Sequence, residues 1–114
     1  MPNDCWNRIT VTGTKEDIEH FFLEEFKDIV PEYEPEIYRK GAEGIHFKTW
    51  SPWKPNFEWL EELLHKYPSI WLKNIWHEEG GLAGIWIASL KDGIKRFEWE
   101  DLSIEEETHR FRSE

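Results

Sequence analysis

The chain has 114 residues, a length typical of a single domain, and its eight Trp, three Tyr and seven Phe exclude a disordered chain. Its formal net charge of −10 argues against generic electrostatic binding to DNA, RNA or anionic membranes. No stretch approaches the roughly 20 apolar residues of a membrane-spanning helix, and the first residues lack a signal-peptide pattern. The lone Cys5 allows no internal disulfide, so we expect a core role for Cys5 and a cytosolic location.

The first part of the chain predicts a strand followed by a helix. Apolar and polar residues alternate over residues 5–12, which is typical of a strand, and Gly13 ends it. Thr14 then opens a capping box. The apolar stripe of the helix consists of Ile18, Phe22, Phe26 and Ile29. Glu25 falls inside that stripe, so either the helix ends early, which we favour, or Glu25 pairs with a cation.

The rest of the chain predicts four further strands and a second helix before a last strand is reached through a hairpin. Strands are expected over residues 36–40, 45–50, 69–77, 82–91 and 94–99, and a helix over residues 56–67. Gly80-Gly81 and Asp92-Gly93 are typical of two-residue hairpin turns. This order predicts an α+β fold, a ferredoxin-like βαββαβ sheet with two helices on one face and a C-terminal hairpin extension. We expect one domain over residues 1–100 and a polar tail over residues 101–114.

Several short segments resemble the YubB-like ferredoxin-like family, whose members are uncharacterised proteins of plasmids and phages. The resemblance is carried by the opening residues 1–13, by Phe47-Lys48-Thr49-Trp50-Ser51-Pro52-Trp53, by Tyr67-Pro68 and by His77-Glu78-Glu79-Gly80. One departure is that Asp4 stands where the family usually has Trp, and Trp6 follows Cys5 instead. The resemblance implies the fold and an origin in a mobile element, and it implies no catalytic residues.

The sequence contains no motif that specifies a reaction. A glycine-rich phosphate loop and a His-Glu-x-x-His motif are both absent. The five histidines are scattered, at His20, His46, His65, His77 and His109. A metal site that folding assembles from His46 and His77 stays open as an alternative, as does a nucleophilic role for Cys5. We therefore expect a protein that is not an enzyme and that needs no cofactor and no metal.

Strand alternation predicts an aromatic face on the sheet. With two-residue turns, Ile75 lies opposite Trp86, and Trp86 lies opposite Trp99. The predicted aromatic sheet face consists of Trp71, Lys73, Trp86, Lys95, Phe97 and Trp99, together with Ile75 and His77. The opposite, helix-facing set consists of Ile70, Leu72, Trp76, Ile85 and Ile87. A slip of one residue in the first hairpin would exchange these assignments.

The predicted aromatic face has several possible occupants. The polar tail and the Pro-rich corner with Trp50 and Trp53 could cover it, or two copies of the chain could pair sheet to sheet. A small ligand, a nucleotide or a single-stranded nucleic acid could stack on its aromatic residues. Direct nucleic-acid binding is the less expected of these, because the two central strands carry no run of stacking aromatic residues.

The acidic residues are concentrated in two blocks. Residues 16–37 hold nine acidic residues and one Lys, residues 98–107 hold six acidic residues and no base, and the remainder is net positive. The predicted acidic partner-binding surface consists of Glu16, Asp17, Glu19, Glu24, Asp28, Glu32, Glu34, Glu105 and Glu106. Our leading hypothesis is a non-enzymatic phage or plasmid protein that binds a host protein, such as an anti-CRISPR-like inhibitor. Its acidic surface would occupy the nucleic-acid groove of that partner.

Overall fold

The computed structural model of the protein describes residues 3–27 and 34–100, with side chains described as far as Glu98. These residues form two helices and one six-stranded antiparallel sheet, which confirms the predicted α+β class. The elements are β1 (Asp4–Thr12), α1 (Lys15–Glu25), β2 (Glu36–Lys40), β3 (Gly44–Pro52), α2 (Phe57–Lys66), β4 (Trp71–Glu78), β5 (Leu82–Ser89) and β6 (Gly93–Glu100). The predicted tail over residues 101–114 lies outside the described residues.

The strand order in the sheet is β2-β3-β1-β4-β5-β6, so the first strand of the chain lies in the interior of the sheet. Cys5 pairs with Ser51 on one side and with Glu78 on the other. Because successive side chains of a strand point to opposite faces, this register decides which residues meet the helices.

The hydrophobic core lies between the sheet and the two helices. Its fully buried members include Ile9, Val11, Ile18, Phe21, Phe47, Leu60, Leu63, Leu72 and Trp86. Burying one such side chain stabilises the fold by roughly 1.5–3 kcal/mol. The ring of Phe47 lies 4.9 Å from that of Phe26 and 6.0 Å from that of Phe21, so aromatic contacts join α1 to β3.

Side-chain caps begin both helices. Thr14 Oγ1 accepts from the backbone N–H of Asp17 at 3.2 Å, as the predicted capping box requires, and Asn56 Oδ1 accepts from Trp59 at 3.1 Å. The carboxylate of Asp17 also accepts from the N–H and the hydroxyl of Ser69, at 3.0 and 2.6 Å. The start of α1 is thereby tied to the segment that leads into β4.

Glu25 is the last residue of α1 and joins that helix to α2. Its carboxylate accepts from Lys66 Nζ and Tyr67 Oη, both at 2.6 Å, and from Trp59 Nε1 at 3.3 Å. Burial alone would raise the pKa of Glu25, but these hydrogen bonds and the charge of Lys66 outweigh it and lower that pKa. The favoured early helix end is confirmed, since α1 ends at Glu25 with Phe26 as its C-cap, and Glu25 also pairs with a cation, Lys66. Ile29 lies outside the described residues.

Both hairpin turns differ from the two-residue turns that the sequence predicts. Residues 79–81 form the first loop, with Gly81 at φ 105°, and they place Ile75 opposite Ile85 instead of Trp86. Residues 90–92 form the second loop, and Ile85 lies opposite Phe97. In both hairpins the register differs from the predicted one by an odd number of residues. The difference in the first hairpin exchanges the two faces of β5, and the difference in the second hairpin exchanges the faces again, so β6 keeps its predicted faces.

Candidate functional site on the open face of the sheet

The side of the sheet that faces away from the helices is called the open face below. It is formed by alternate residues of the strands, and the residues named next belong to β1 and β3 to β6. Its cations are Arg8, Lys48, Lys73 and Lys95. Its aromatic and large aliphatic residues are Trp6, Trp50, Trp71, Ile75, Ile85, Ile87 and Phe97.

The charges of the open face are mostly positive. Arg8 and Lys95 are exposed, and Lys48 and Lys73 are half-buried. The ammonium of Lys48 lies 4.8 Å from the centre of the Trp6 ring, which is a cation–π distance. Two carboxylates lie at open-face positions of the described strands: Asp4, which accepts from Trp50 Nε1 at 2.7 Å, and Glu36 of β2, which is the register partner of Lys48. The face therefore attracts anions although the whole chain is acidic.

Large apolar side chains form a row across three strands of the open face. Ile75, Ile85 and Phe97 lie side by side in register, and Ile75 and Phe97 are 41% and 64% exposed. An exposed apolar cluster among cations marks an interaction surface. The described Pro-rich corner leaves this row uncovered. The expectation that the tail covers it falls on residues 101–114, which lie outside the described residues.

The sequence prediction for this face holds on β4 and β6 and fails on β5. Trp71, Lys73, Lys95 and Phe97 lie on the open face as predicted. Trp86 does not, because the register shift places it in the core, where it is 1% exposed. Ile85 and Ile87, which were predicted to face the helices, lie on the open face for the same reason. Trp99 takes the register position opposite Ala83.

Sequence reasoning missed Trp6, whose contact with Lys48 adds an aromatic ring to the face. Its signal is the alternation along β1, which puts Trp6 and Arg8 on the same side of that strand.

The two histidines proposed as a metal pair are not brought together. His46 lies opposite Thr10, with Nδ1 2.8 Å from the Thr10 hydroxyl, whereas His77 lies opposite Trp6. Four residues of strand separate these positions, about 13 Å along β1. The described ranges, 3–27 and 34–100, contain no cluster of three or more His, Cys, Asp or Glu with the geometry of a metal site.

Cys5 is a core residue on the helix-facing side of β1. It is fully buried. The pKa of its thiol is raised to about 11, mainly by burial; a hydrogen bond with Ser51 acts to lower this pKa and the charge of Glu78 acts to raise it. The thiol is therefore protonated and shielded at neutral pH.

The predicted acidic surface is only partly described. Glu16, Glu19, Glu24 and Glu34 are exposed, and Glu24 forms an ion pair with Lys27 at 2.9 Å. Asp17 is half-buried and bonded to Ser69, which gives it a structural role. Asp28, Glu32, Glu105 and Glu106 lie outside the described residues.

The two-helix α+β fold and its antiparallel sheet define a ferredoxin-like domain. Residues 32–113 match the family described as "Ferredoxin-like domain in Api92-like protein", and the chain belongs to that family. No curated protein and no solved structure matches the chain. Neither helix of the described part is long and apolar enough to cross a membrane.

Proposed function

We propose that this protein is a non-enzymatic binding domain whose open face binds single-stranded nucleic acid. The observation that carries the proposal is the separation of charge in an acidic chain. Four cations lie among exposed aromatic and aliphatic side chains on the open face, while the described acidic residues of α1 lie on the other side of the sheet. A polyanion that also carries flat apolar rings matches both properties.

The chemistry of single strands fits this surface in two ways. Bases stack on aromatic side chains without sequence preference and contribute about 1–3 kcal/mol each. Phe97 is exposed enough for such stacking, and Trp6 and Trp71 are half-buried beside cations. Lys73 and Lys95 can meanwhile contact phosphates. The acidic residues behind the −10 net charge of the chain oppose this binding little where they lie far from the open face, because salt screens charges more than about 8 Å apart at physiological ionic strength.

A second copy of the chain fits the open face less well. A symmetric dimer places the same surface on both partners, so one mostly positive face would pack against another mostly positive face. Such an arrangement buries like charges without counterions. The charge pattern therefore favours a polyanion over a homodimer.

The test is fluorescence anisotropy of a labelled 20-nucleotide oligothymidine titrated with the protein. We expect saturable binding that weakens about 50-fold between 50 and 200 mM salt, if all four cations meet phosphates. Phe97→Ala should weaken binding about tenfold through lost stacking, and Lys73→Glu combined with Lys95→Glu should weaken it more.

Two variants with a change of the same kind on α1 serve as controls. Lys15→Glu alters a charge on α1, and Leu23→Ala removes an apolar side chain that is 57% exposed on the same helix. Neither should change the affinity. Absence of binding at 50 mM salt, or an equal loss in Lys15→Glu, would overturn the proposal, and self-association through the face would show as sedimentation that depends on concentration.

A second candidate function rests on the outer side of α1. Glu16 and Glu19 are exposed there, and Glu34 is exposed just before β2. We propose this surface as the contact of a host-protein antagonist, an anti-CRISPR-like inhibitor for example, with the basic groove of a nucleic-acid-binding partner.

An arginine-rich peptide is the probe for this second candidate. At low salt, Glu16→Gln combined with Glu19→Gln should weaken peptide binding several-fold, because two charges of the contact are lost. The matched control is Glu61→Gln with Glu62→Gln, the same change on exposed residues of α2. Equal weakening by the two pairs would show that only net charge matters and would contradict a surface on α1.

The origin of the chain, its location in the cell and the extent of the ferredoxin-like unit are also part of this proposal. We propose that the chain originates from a plasmid or phage, as the resemblance to YubB-like proteins implies, and that it acts in the host cytosol. We also propose that β1 to β4 with both helices form the ferredoxin-like unit and that β5 and β6 extend its sheet. The strand order and the buried free thiol of Cys5 support these assignments.

A further inference from the structure

We propose that a second site, separate from the open face, binds a flat uncharged ring compound that carries an N–H donor. The site is a cleft of about 680 Å³ between the sheet, the end of α1 and the start of α2. Rings of Phe26, Phe57 and Trp59 line its walls, and Asn7 and Asn74 line its floor. Both the volume and the apolar lining are typical of small-molecule sites.

The floor contains a chain of buried side-chain hydrogen bonds. Asn7 and Asn74 are 3% and 1% exposed. Asn7 Nδ2 donates to Ser51 Oγ at 2.9 Å and to the carbonyl oxygen of Thr49 at 3.3 Å. Because a carbonyl oxygen only accepts, Thr49 fixes the orientation of the Asn7 amide. Asn7 Oδ1 consequently faces Asn74 and accepts from its Nδ2 at 2.9 Å.

This series of hydrogen bonds leaves one acceptor without a donor. The nitrogen of Asn74 is committed to Asn7, and its Oδ1 is buried and has no hydrogen-bond partner among the described residues, while Asn74 itself lines the cleft. A buried acceptor without a donor lowers stability, so a ligand donor that reaches it restores a lost interaction. The floor therefore favours an N–H donor and disfavours a molecule that can only accept.

The walls determine the rest of the ligand. Phe26 and Trp59 are half-buried, so their rings leave surface for contact with a flat ring. Two carboxylates line the cleft, Glu25 and Glu58. Glu25 is already bonded to Lys66, Tyr67 and Trp59, and Glu58 is exposed to water, so a cation gains little from either. An uncharged ring loses the least hydration on entering this cleft.

Indole and benzofuran test the inference as a matched pair, since they share one shape and differ in an N–H against a ring oxygen. The readout is the side-chain amide signals of Asn7 and Asn74 in ¹H–¹⁵N NMR spectra of the labelled protein. We expect indole to shift these signals in a saturable manner and to bind about fivefold more tightly than benzofuran. Equal affinities, or shifts confined to residues outside the cleft, would overturn the inference.

Two variants test whether Asn74 is responsible for the preference for indole over benzofuran. Asn74→Leu removes the acceptor while roughly keeping the volume, so indole and benzofuran should bind it equally. Asn3→Leu makes the same change outside the cleft and should keep the preference for indole. Should Asn74→Leu fail to fold, the comparison of the two probes on the unaltered chain still decides the matter. Oligothymidine binding to the open face should be the same with and without indole, which separates the two proposals.

Discussion

Replacement of Glu25 by alanine should lower the free energy of unfolding by about 3 kcal/mol. The substitution removes the acceptor that Lys66, Tyr67 and Trp59 share. Hydrogen bonds to a charged group contribute about 1.5–3 kcal/mol each, but three that share one carboxylate are not additive. The Lys66 side chain is 55% exposed and contributes little of this, so most of the loss comes from the hydroxyl and the indole N–H. Urea denaturation followed by Trp fluorescence measures it.

The neighbouring glutamate is the matched control. Glu24 is exposed and forms the ion pair with Lys27 described above, so Glu24→Ala should leave the unfolding free energy unchanged within error. Glu25→Gln keeps the shape and loses the charge, so it should fall between the alanine variant and the unaltered protein. If Glu24→Ala lowers the free energy of unfolding as much as Glu25→Ala does, the loss comes from a general effect on α1 and not from the three hydrogen bonds of Glu25.

The same carboxylate makes stability depend on pH in a defined direction. The pKa of Glu25 is lowered in the folded protein, so its contribution is complete above the unfolded pKa of about 4.3. The contribution is lost as the pH falls from about 5 through the folded pKa. The stability difference between the unaltered protein and Glu25→Gln should therefore shrink toward zero in acid. A difference that stays constant down to pH 3 would contradict the lowered pKa.

Alanine at position 84 should destabilise the protein by about 2–3 kcal/mol, because the position has no room for a methyl group. A Cβ at Gly84 would lie 2.7 Å from the carbonyl oxygen of Phe97 and 2.8 Å from the indole of Trp76. Trp76 is 2% exposed and lies opposite Gly84 in the sheet, so neither neighbour moves freely. Relieving the contact requires a shift of β6 or of a large core side chain.

Thermal unfolding checks this prediction, with an expected fall in Tm of about 10 °C. Gly41→Ala is the control, since a Cβ there meets only the carbonyl oxygen of Gly44 at 3.9 Å. A Gly84→Ala variant as stable as Gly41→Ala would show that Trp76 repacks at no cost. Oligothymidine binding by folded Gly84→Ala should also weaken, because the contact shifts β6 and the Phe97 that it carries.

The order and approximate bounds of the elements followed from the sequence because local rules decide them. Thr14 and Asn56 cap the helices in their first turns, and alternation within β1 and β3 reports which side is buried. The faces of β5 were mispredicted because loop length fixes hairpin register, and one extra residue reverses every side chain. Gly80-Gly81 lies inside a three-residue loop, and the dipeptide alone does not specify this.

The candidate sites were predictable only where they follow a single strand. Lys73 and Trp71 share a face by alternation alone, so the sequence was sufficient for them. The floor of the cleft was not, because Asn7 meets Asn74 and Ser51 from positions 67 and 44 residues away. Glu25 was recognised as anomalous within its helix, but its partners lie 34 to 42 residues further along the chain. Contacts of that separation depend on the packing of α1 against α2.

The interior position of β1 has a consequence for how the protein is made. Its partners are β3 and β4. Both edges of β1 can therefore be paired only after Ser51 and then Glu78, the register partners of Cys5, have left the ribosome. Until then Ile9 and Val11 lie on an unpaired strand, the kind of segment that aggregates or recruits chaperones. Slowing translation after β1 should therefore reduce the yield of soluble protein more than slowing it after β4.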